Sequence, residues 1–439
     1  MNAVASAFQG LARLEPRTNG RHPGWLDELR RSAFRWVSER GFPTVKDEAW
    51  KYTRVAPLLE IPFAPAEPEA AHRLSPKAID QLAGDLGGTR IVVVNGYFVA
   101  QLSALNKLPT GVKVRSLASA LAEDAEVLRP LLSRPFRDHP DGFTALSVAL
   151  AEDGVLVQIP AHATIEEPIH IVFVSDTGAA PVVSHPRSFV LAGANCTATI
   201  VESYVGILGD VYLNNAVTDV VLDEGAVVEH YKLQNETGTA FHIARLDVRQ
   251  GRGSRFSSHV VALGGSLGRH EVHVTLEAPG AEVTLNGLYM PRNEQHLDNP
   301  TTIEHAAPHC TSCQLYKGVI AGAGRGVFDG RIIVRPGAIK TDASQTNRNL
   351  LLSEAAEVDT RPRLEIFADD VKCAHGATVG QLSEDAVFYL RSRGIPDRAA
   401  RDLLTYAFAS EMVGLLHLES FRAHVQKLVG SRLGCVAAA

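Results

Sequence analysis

Four stretches of sequence indicate the fold: FVLAGANCTATIVES at 189–203, VVLDEGAVVEHYKL at 220–233, LDVRQGRGSRFSSHVV at 246–261 and VTLEAPGAEVTLNGLY at 274–289. Each joins two runs rich in β-branched residues through a short polar turn that contains glycine. The turn glycines Gly193, Gly225, Gly253 and Gly280 are 32, 28 and 27 residues apart, and Gly326 in GVFDGRIIV is a candidate later member. Repeats of this length built from strands alone are typical of a β-solenoid.

A β-sandwich or barrel is the alternative fold, because its strands also recur every 8–12 residues. Against it, the strand-and-turn pattern continues from about residue 155 to 380, which is long for one sandwich. The sequence therefore favours a mainly β fold with a solenoid core at 150–383.

Helical patterns flank this core. Residues 1–140 are predicted to form a mainly helical region, with helices after Pro23, at 75–84 and at 116–133 and a short strand at Ile91–Val94. Residues 384–439 are predicted to form a C-terminal helical region with a second helix at about 418–430. One apolar stripe in it consists of Leu403, Leu404, Ala407, Phe408, Met412, Leu415 and Leu416.

Composition excludes several classes of protein. The chain has 439 residues, and the high hydrophobic fraction of 45%, beside 21% charged residues, argues against intrinsic disorder. The formal net charge of −6 argues against general electrostatic binding to nucleic acid. No apolar run approaches the ~18 residues of a membrane helix, and the N-terminus lacks the pattern of a secretory signal. Five cysteines, an odd number, do not form a disulfide framework. These features predict a cytoplasmic protein.

Two alternative chemistries are open at this point. His309-Cys310-Thr-Ser-Cys313, with His305 upstream, has the spacing of half a zinc or iron–sulfur site, which would make the chain a metal or redox protein. Lone carboxylates among the strands would instead suit a carbohydrate-active solenoid enzyme. Those carboxylates are Asp329, Asp342, Asp369 and Asp370.

The segment ADDVKCAHGATVG at 368–380 contains a second cluster. If it is a strand, Cys373 and His375 point to the same face. A thiolate and an imidazole side by side are suited to iron or zinc, although such a pair in isolation is more often simple packing.

The region 296–409 resembles the SufB/SufD family of iron–sulfur cluster assembly proteins. The resemblance rests on KTDASQTN at 340–347, DTRP at 359–362 and the 368–380 segment, and its details match the SufD branch. EAWKYT at 48–53 is similar to an aromatic motif in the N-terminal region of that branch.

The resemblance implies a right-handed parallel β-helix between two helical regions. It also implies a non-catalytic subunit that pairs with a SufB-like paralogue and binds a SufC-like ABC-type ATPase. A homodimer is a further possibility, and no nucleic-acid or membrane partner is expected. His375, and with it Cys373, matches positions at the paralogue interface, so His375 is a candidate ligand for transient iron or a nascent cluster. No tightly bound cofactor is expected. The expected ATPase-docking residues are Leu403, Leu404, Phe408, Met412 and Leu415.

Overall fold

The computed structural model describes residue 11, residues 14–16 and residues 23–434, apart from gaps at 69–73, 106–107, 139, 179, 208 and 210. Cys435 and the two ends of the chain therefore lie outside the described residues. Within them, no helix is both long enough and apolar enough to cross a membrane.

The core is a parallel β-solenoid made of eight pairs of strands between Gly154 and Gly380, with about seven turns from the first pair to the last. Every turn contributes one strand to each of two facing sheets. Sheet A contains β5 (Gly154–Ile159), β8 (Arg187–Ala192), β10 (Tyr212–Leu222), β12 (Phe241–Gln250), β14 (Leu267–Leu276), β16 (His296–His305), β18 (Arg325–Val334) and β20 (Glu357–Ile366).

Sheet B contains the second strand of each turn, and its neighbouring strands are again parallel. They are β6 (Ile169–Ser175), β9 (Thr197–Gly206), β11 (Val227–Asn235), β13 (Arg255–Ala262), β15 (Glu282–Tyr289), β17 (Thr311–Ile320), β19 (Asp342–Leu351) and β21 (Lys372–Gly380). The predicted solenoid is confirmed.

Each turn from sheet A to sheet B contains one residue in the left-handed backbone conformation. Its amide donates to a carbonyl of the next turn, as from Gly225 to Arg252 and from His309 to Ile339. Glycine suits this conformation because it has no Cβ to clash. The residues in the position are His162, Asn195, Gly225, Gly253, Gly280, His309, Lys340 and Asp370.

Gly326 is not a turn glycine, whereas Gly193 is one, because it lies in the turn between β8 and β9. Gly326 lies inside β18, where its backbone packs against the Tyr289 ring, and Gly322 is the left-handed glycine of that sequence stretch. Gly193 precedes the left-handed position, which Asn195 occupies.

The N-terminal region is mixed. Its helices are α1 (Gly24–Arg40), α2 (Ala56–Leu59), α3 (Pro76–Ala83), α4 (Leu117–Asp138, kinked at Asp124) and α5 (Gly142–Leu150). Its strands are β1 (Ala64–Pro65), β2 (Thr89–Val94), β3 (Tyr97–Phe98) and β4 (Lys113–Ser116), and β7 (Val182–Ser184) follows within the first turns. The predicted helices after Pro23 and at 75–84 are confirmed as α1 and α3.

This region closes the first end of the solenoid. β2 pairs with β6 and β4 with β5, so both sheets continue into N-terminal strands. The EAWKYT motif covers the outer face of sheet A: the Trp50 ring lies 3.9 Å from the Arg269 guanidinium, and the Thr53 hydroxyl donates to Asp298 at 2.6 Å. The aromatic motif therefore has a packing role.

Three C-terminal helices follow the last strand: α6 (Glu384–Ser392), α7 (Asp397–Val413) and α8 (Glu419–Arg432). α7 and α8 cover the outer face of sheet B, where Met412, Phe421 and Val425 form one buried cluster with Tyr231 and Leu288. Because both faces of the sheets are covered along most of the solenoid, the strands are buried on both sides, as parallel sheets usually are.

Candidate functional site

Among the described residues, no further turn packs against the last turn of the solenoid. β20 pairs with β18 alone and β21 with β19 alone, so each has one unpaired edge. Inward-facing side chains that a following turn would cover are exposed, with Ile366 at 43% and Val379 at 49%. Unpaired edges and exposed apolar side chains together mark a surface where another chain can add strands.

Cys373 and His375 lie on this open end. β21 is the strand that the sequence analysis required, and the two residues align with Ala343 and Gln345 of β19. Since Ala343 and Gln345 are buried inside the solenoid, Cys373 and His375 share its inward face at the last turn. Cys373 is half-buried against the apolar core, whereas His375 is exposed.

The two groups differ in their readiness to bind a metal. Burial, together with the nearby Asp342 carboxylate, raises the pKa of the Cys373 thiol above its ordinary value. A thiol with a raised pKa holds its proton at neutral pH and is a poor ligand until a cation displaces that proton. The exposed imidazole of His375 is the more accessible of the two.

Polar residues that the sequence analysis missed continue inward from this pair. Directly below His375 in the register is Gln345, which is 1% exposed and has no partner for either polar atom of its amide, and below that is Gln314. The same inward position carries His230 on β11, whose ring nitrogen Nδ1 is 2.9 Å from the Ser258 hydroxyl. The alternation of inward and outward side chains along each strand could have indicated these residues. It does so only when the pairing register between neighbouring strands is known.

A charged group lies deeper in the solenoid. Lys232 and Glu202 are neighbours in the register, and Lys232 is 1% exposed with its Nζ 3.1 Å from the imidazole of His270. Burial lowers the pKa of Lys232 to about 8. The interior is therefore polar on one flank of an otherwise apolar core.

The four side chains of the His305–Cys313 stretch do not converge. His309 is the exposed left-handed turn residue, Cys310 is fully buried, and Cys313 is exposed on β17. His305 binds the Ser312 hydroxyl at 2.9 Å. Among the described residues, the ligand atoms of three groups converge at another place, formed by Glu229, His259 and His417.

Two of the four carboxylates suggested for a carbohydrate-active enzyme, Asp329 and Asp370, are engaged in structural ion pairs. Asp329 accepts from Arg363 at 2.9 Å and from Arg361, and it is 6% exposed. Asp370 is a turn residue paired with Lys340.

Some apolar side chains of the predicted stripe pack against the solenoid, and others are exposed. Met412 is buried against the solenoid, and Phe408, which lies under the Nζ of Lys317 at 4.1 Å, is half-buried with Leu404 and Leu415. Leu403 is 46% exposed. Phe388 and Tyr389 of α6 add exposed aromatic surface, at 72% and 58%.

Comparison with known proteins agrees with this architecture. Residues 173–408 match the family model for the SufBD core domain of the SUF system of iron–sulfur cluster assembly, and residues 18–171 match the SufBD N-terminal region. A SufBD family protein of Synechocystis is 34% identical over 94% of this chain and 92% of its own length. The assembly protein SufD of Escherichia coli is 33% identical over 90% of both chains, and the chloroplastic protein ABCI7 of Arabidopsis thaliana is 32% identical over 88% of this chain and 82% of its own. With its solenoid, its two flanking regions and these matches, the chain belongs to the SufBD family of iron–sulfur cluster assembly proteins.

Proposed function

We propose that this chain is a non-catalytic assembly subunit that pairs with a SufB-like paralogue and works with a SufC-like ABC-type ATPase. It would support iron acquisition and the formation of nascent clusters at the subunit interface, in the cytoplasm and without a tightly bound cofactor of its own. The single observation that carries the proposal is the open end of the solenoid, where β20 and β21 leave their edges unpaired.

Pairing at this end follows from the physics of strands. Unpaired amide and carbonyl groups on β20 and β21 are satisfied when a partner adds its own strands, and the exposed Ile366 and Val379 are then buried. A paralogue with the same fold offers matching edges. A second copy of this chain offers them too, which is why a homodimer is the competing arrangement.

The iron-handling part of the proposal concerns His375 and Cys373. Both lie on the inward face of the last turn, so a partner packed on the open end would cover them. One imidazole and one thiol cannot complete a coordination shell, and ligands from the partner would have to supply the rest. Iron, as cargo, would therefore be held only in the assembled pair.

The ATPase would dock on the outer side of the C-terminal helices. The exposed apolar side chains that support this are Phe388, Tyr389 and Leu403, at 72%, 58% and 46%. Of the five expected docking residues, Leu403 offers the most exposed surface, and Met412 is buried against the solenoid. Docking through the outer side leaves the contact between α7 and sheet B intact.

The proposal is tested by co-purification from the native host, combined with His375→Ala. We expect the wild-type chain to be recovered with its paralogue and the ATPase. We expect His375→Ala to keep both partners and to lower the maturation of iron–sulfur enzymes, because it removes a ligand and not a packing residue. Thr378→Ala, on the outward face of the same strand, is the control and should mature these enzymes normally. Recovery of the wild-type chain as a lone monomer would refute the pairing, and normal maturation in His375→Ala would refute the site.

A further inference from the structure

A cluster of potential metal ligands lies where the loop between α7 and α8 meets the outer face of sheet B, far along the chain from β21. Glu229 is on β11, His259 on β13 and His417 in the loop, and their ligand atoms all lie within 4.8 Å of one another. Glu229 Oε1 lies between the two imidazoles, 2.7 Å from His417 Nδ1 and 3.6 Å from His259 Nε2.

His259 contributes a buried nitrogen without a hydrogen-bond partner. Its side chain is 4% exposed, its Nε2 has no partner, and its ring stacks on Tyr231 with centroids 5.1 Å apart. A buried polar atom left unpaired is costly, so one aimed at two other ligands requires an explanation.

The backbone of His417 is fixed in place, although its side chain is 75% exposed. The buried hydroxyl of Tyr231 accepts the amide protons of His417 at 3.1 Å and of Leu418 at 3.0 Å, at the start of α8. Tyr231 also packs against Phe421 at 5.0 Å between ring centroids. The third ligand is therefore presented by a short loop that is anchored to sheet B.

We propose that Glu229, His259 and His417 bind one divalent transition-metal cation of the zinc or ferrous class. Two imidazoles and one carboxylate are a common ligand set for these ions, and three protein ligands leave a position for water. Ligand atoms about 2.0–2.1 Å from zinc in a tetrahedron lie about 3.3 Å from each other. The 3.6 Å from His259 Nε2 to Glu229 Oε1 is near this value, the 2.7 Å from His417 Nδ1 to the same oxygen is about 0.6 Å shorter, and the ligand atoms of the two imidazoles lie within 4.8 Å of each other.

Metal binding selects one tautomer of His259. Its Nε2 must be free of hydrogen, so Nδ1 carries the proton and needs an acceptor. The Asn286 amide is 3.4 Å from Nδ1 and supplies that acceptor when its oxygen, rather than its nitrogen, faces the ring. The cation then joins two strands of sheet B to the α7–α8 loop and stabilises this junction.

The experiment titrates the chelator-treated full-length chain with Co²⁺, followed by visible ligand-field absorption, and then displaces Co²⁺ with Zn²⁺. We expect one Co²⁺ per chain and a rise in the melting temperature with Zn²⁺, because a ligand that binds the folded state stabilises it. Glu229→Gln and His417→Ala should each lower the Co²⁺ affinity by about tenfold or more and abolish the melting-temperature rise.

Two control variants make the result specific. His273→Ala removes another imidazole beside a carboxylate, 2.6 Å from Glu271. Glu271 also pairs with Arg269 and Arg245 and does not belong to the proposed ligand set, so the Co²⁺ signal should persist. His375→Ala should also keep it, which separates this site from the proposed function at the open end. Failure of the wild-type chain to bind one equivalent, survival of the signal in both ligand variants, or its loss in His375→Ala would each overturn the proposal.

Discussion

The left-handed residue in each turn from sheet A to sheet B predicts a clear stability effect at Gly253. Its φ is 60°, and a Cβ added there would meet no atom within 4 Å, so the backbone conformation alone opposes a side chain. Gly253→Ala should lower the free energy of unfolding by about 1 kcal/mol, measured by urea denaturation. Gly24→Ala is the control: it also meets nothing within 4 Å but begins α1, so it should leave stability unchanged or raise it. Equal losses in both would contradict this account.

Buried histidines predict acid sensitivity. His170 is 1% exposed and bonds the Ser203 hydroxyl at 2.8 Å, and burial lowers its pKa to about 3, with His424 and Arg90 adding to the effect. The unfolded chain binds this proton near pH 6.5, so the stability is fully present above pH 6.5 and is lost as the pH falls towards 3. Each such group contributes a slope of up to about 1.4 kcal/mol per pH unit in that window.

The measurement is the urea midpoint at several pH values. His170→Gln keeps a hydrogen-bonding group but does not titrate, so the midpoint should fall less steeply between pH 6.5 and 4 than in the wild type. His309→Asn changes an exposed turn histidine to a residue that tolerates the left-handed backbone, and its profile should match the wild type. An unchanged slope in His170→Gln would count against a neutral buried imidazole.

Residue-level prediction from sequence succeeded where local pattern decides and failed where register decides. Glycines at 225, 253 and 280 identify the left-handed turn, but His309 and Lys340 occupy the same position with no such signal. The Cys310–Cys313 spacing resembled a metal site because its turn geometry was unknown. Gln345 and the Glu229–His259–His417 group join residues from different turns, and only folding brings them together.

At the scale of an element, α7 is attached to sheet B by a buried charge. Lys317 of β17 is 2% exposed in its side chain, and its Nζ donates to the Phe408 carbonyl at 3.2 Å and to the Glu411 carboxylate. Glu411 is itself 51% exposed, but removing its carboxylate leaves the buried ammonium of Lys317 uncompensated, whereas replacing that buried charge with an apolar group of similar size costs less.

We therefore expect Glu411→Gln to lower the free energy of unfolding by about 2 kcal/mol and to increase hydrogen exchange in α7. Lys317→Met should cost less, and adding Glu411→Gln to it should cost little more. Glu384→Gln is the matched control, since its ion pair with Arg401 is exposed and contributes below about 1 kcal/mol. A larger loss from Lys317→Met than from Glu411→Gln would contradict the assignment.

The helical stripe could be predicted because its 3.6-residue period is visible in the sequence. α7 follows it as far as Met412, whereas Leu415 and Leu416 lie beyond the end of the helix at Val413. What the stripe packs against could not be predicted. Periodicity identifies an apolar face but does not distinguish Met412, which is buried against sheet B, from Leu403, which is exposed.

At the scale of the whole molecule, the fold class followed from repeat spacing, since strands with regular glycine turns can stack only on their neighbours. Repeat spacing did not predict that the two ends of the solenoid differ. N-terminal strands extend and close the first end, whereas the helices after Gly380 turn away and cover sheet B. Among the described residues, this leaves one edge each of β20 and β21 unpaired. Which end a flanking region closes depends on long-range contacts and not on local pattern.

This asymmetry separates two partner surfaces, and one matched pair of substitutions tests them. Phe367, 57% exposed at the end of β20, belongs to the open end, and Phe388, 72% exposed on α6, belongs to the C-terminal helices. Both changes to Glu place a charge on an exposed apolar position, so neither should alter the melting temperature by more than a few degrees. Phe367→Glu should weaken co-purification of the paralogue by at least about tenfold and spare the ATPase, because a charge buried at an interface without a partner is strongly unfavourable. Phe388→Glu should weaken co-purification of the ATPase and spare the paralogue. If either variant loses both partners, or if neither variant loses a partner, the two surfaces are not separate docking sites.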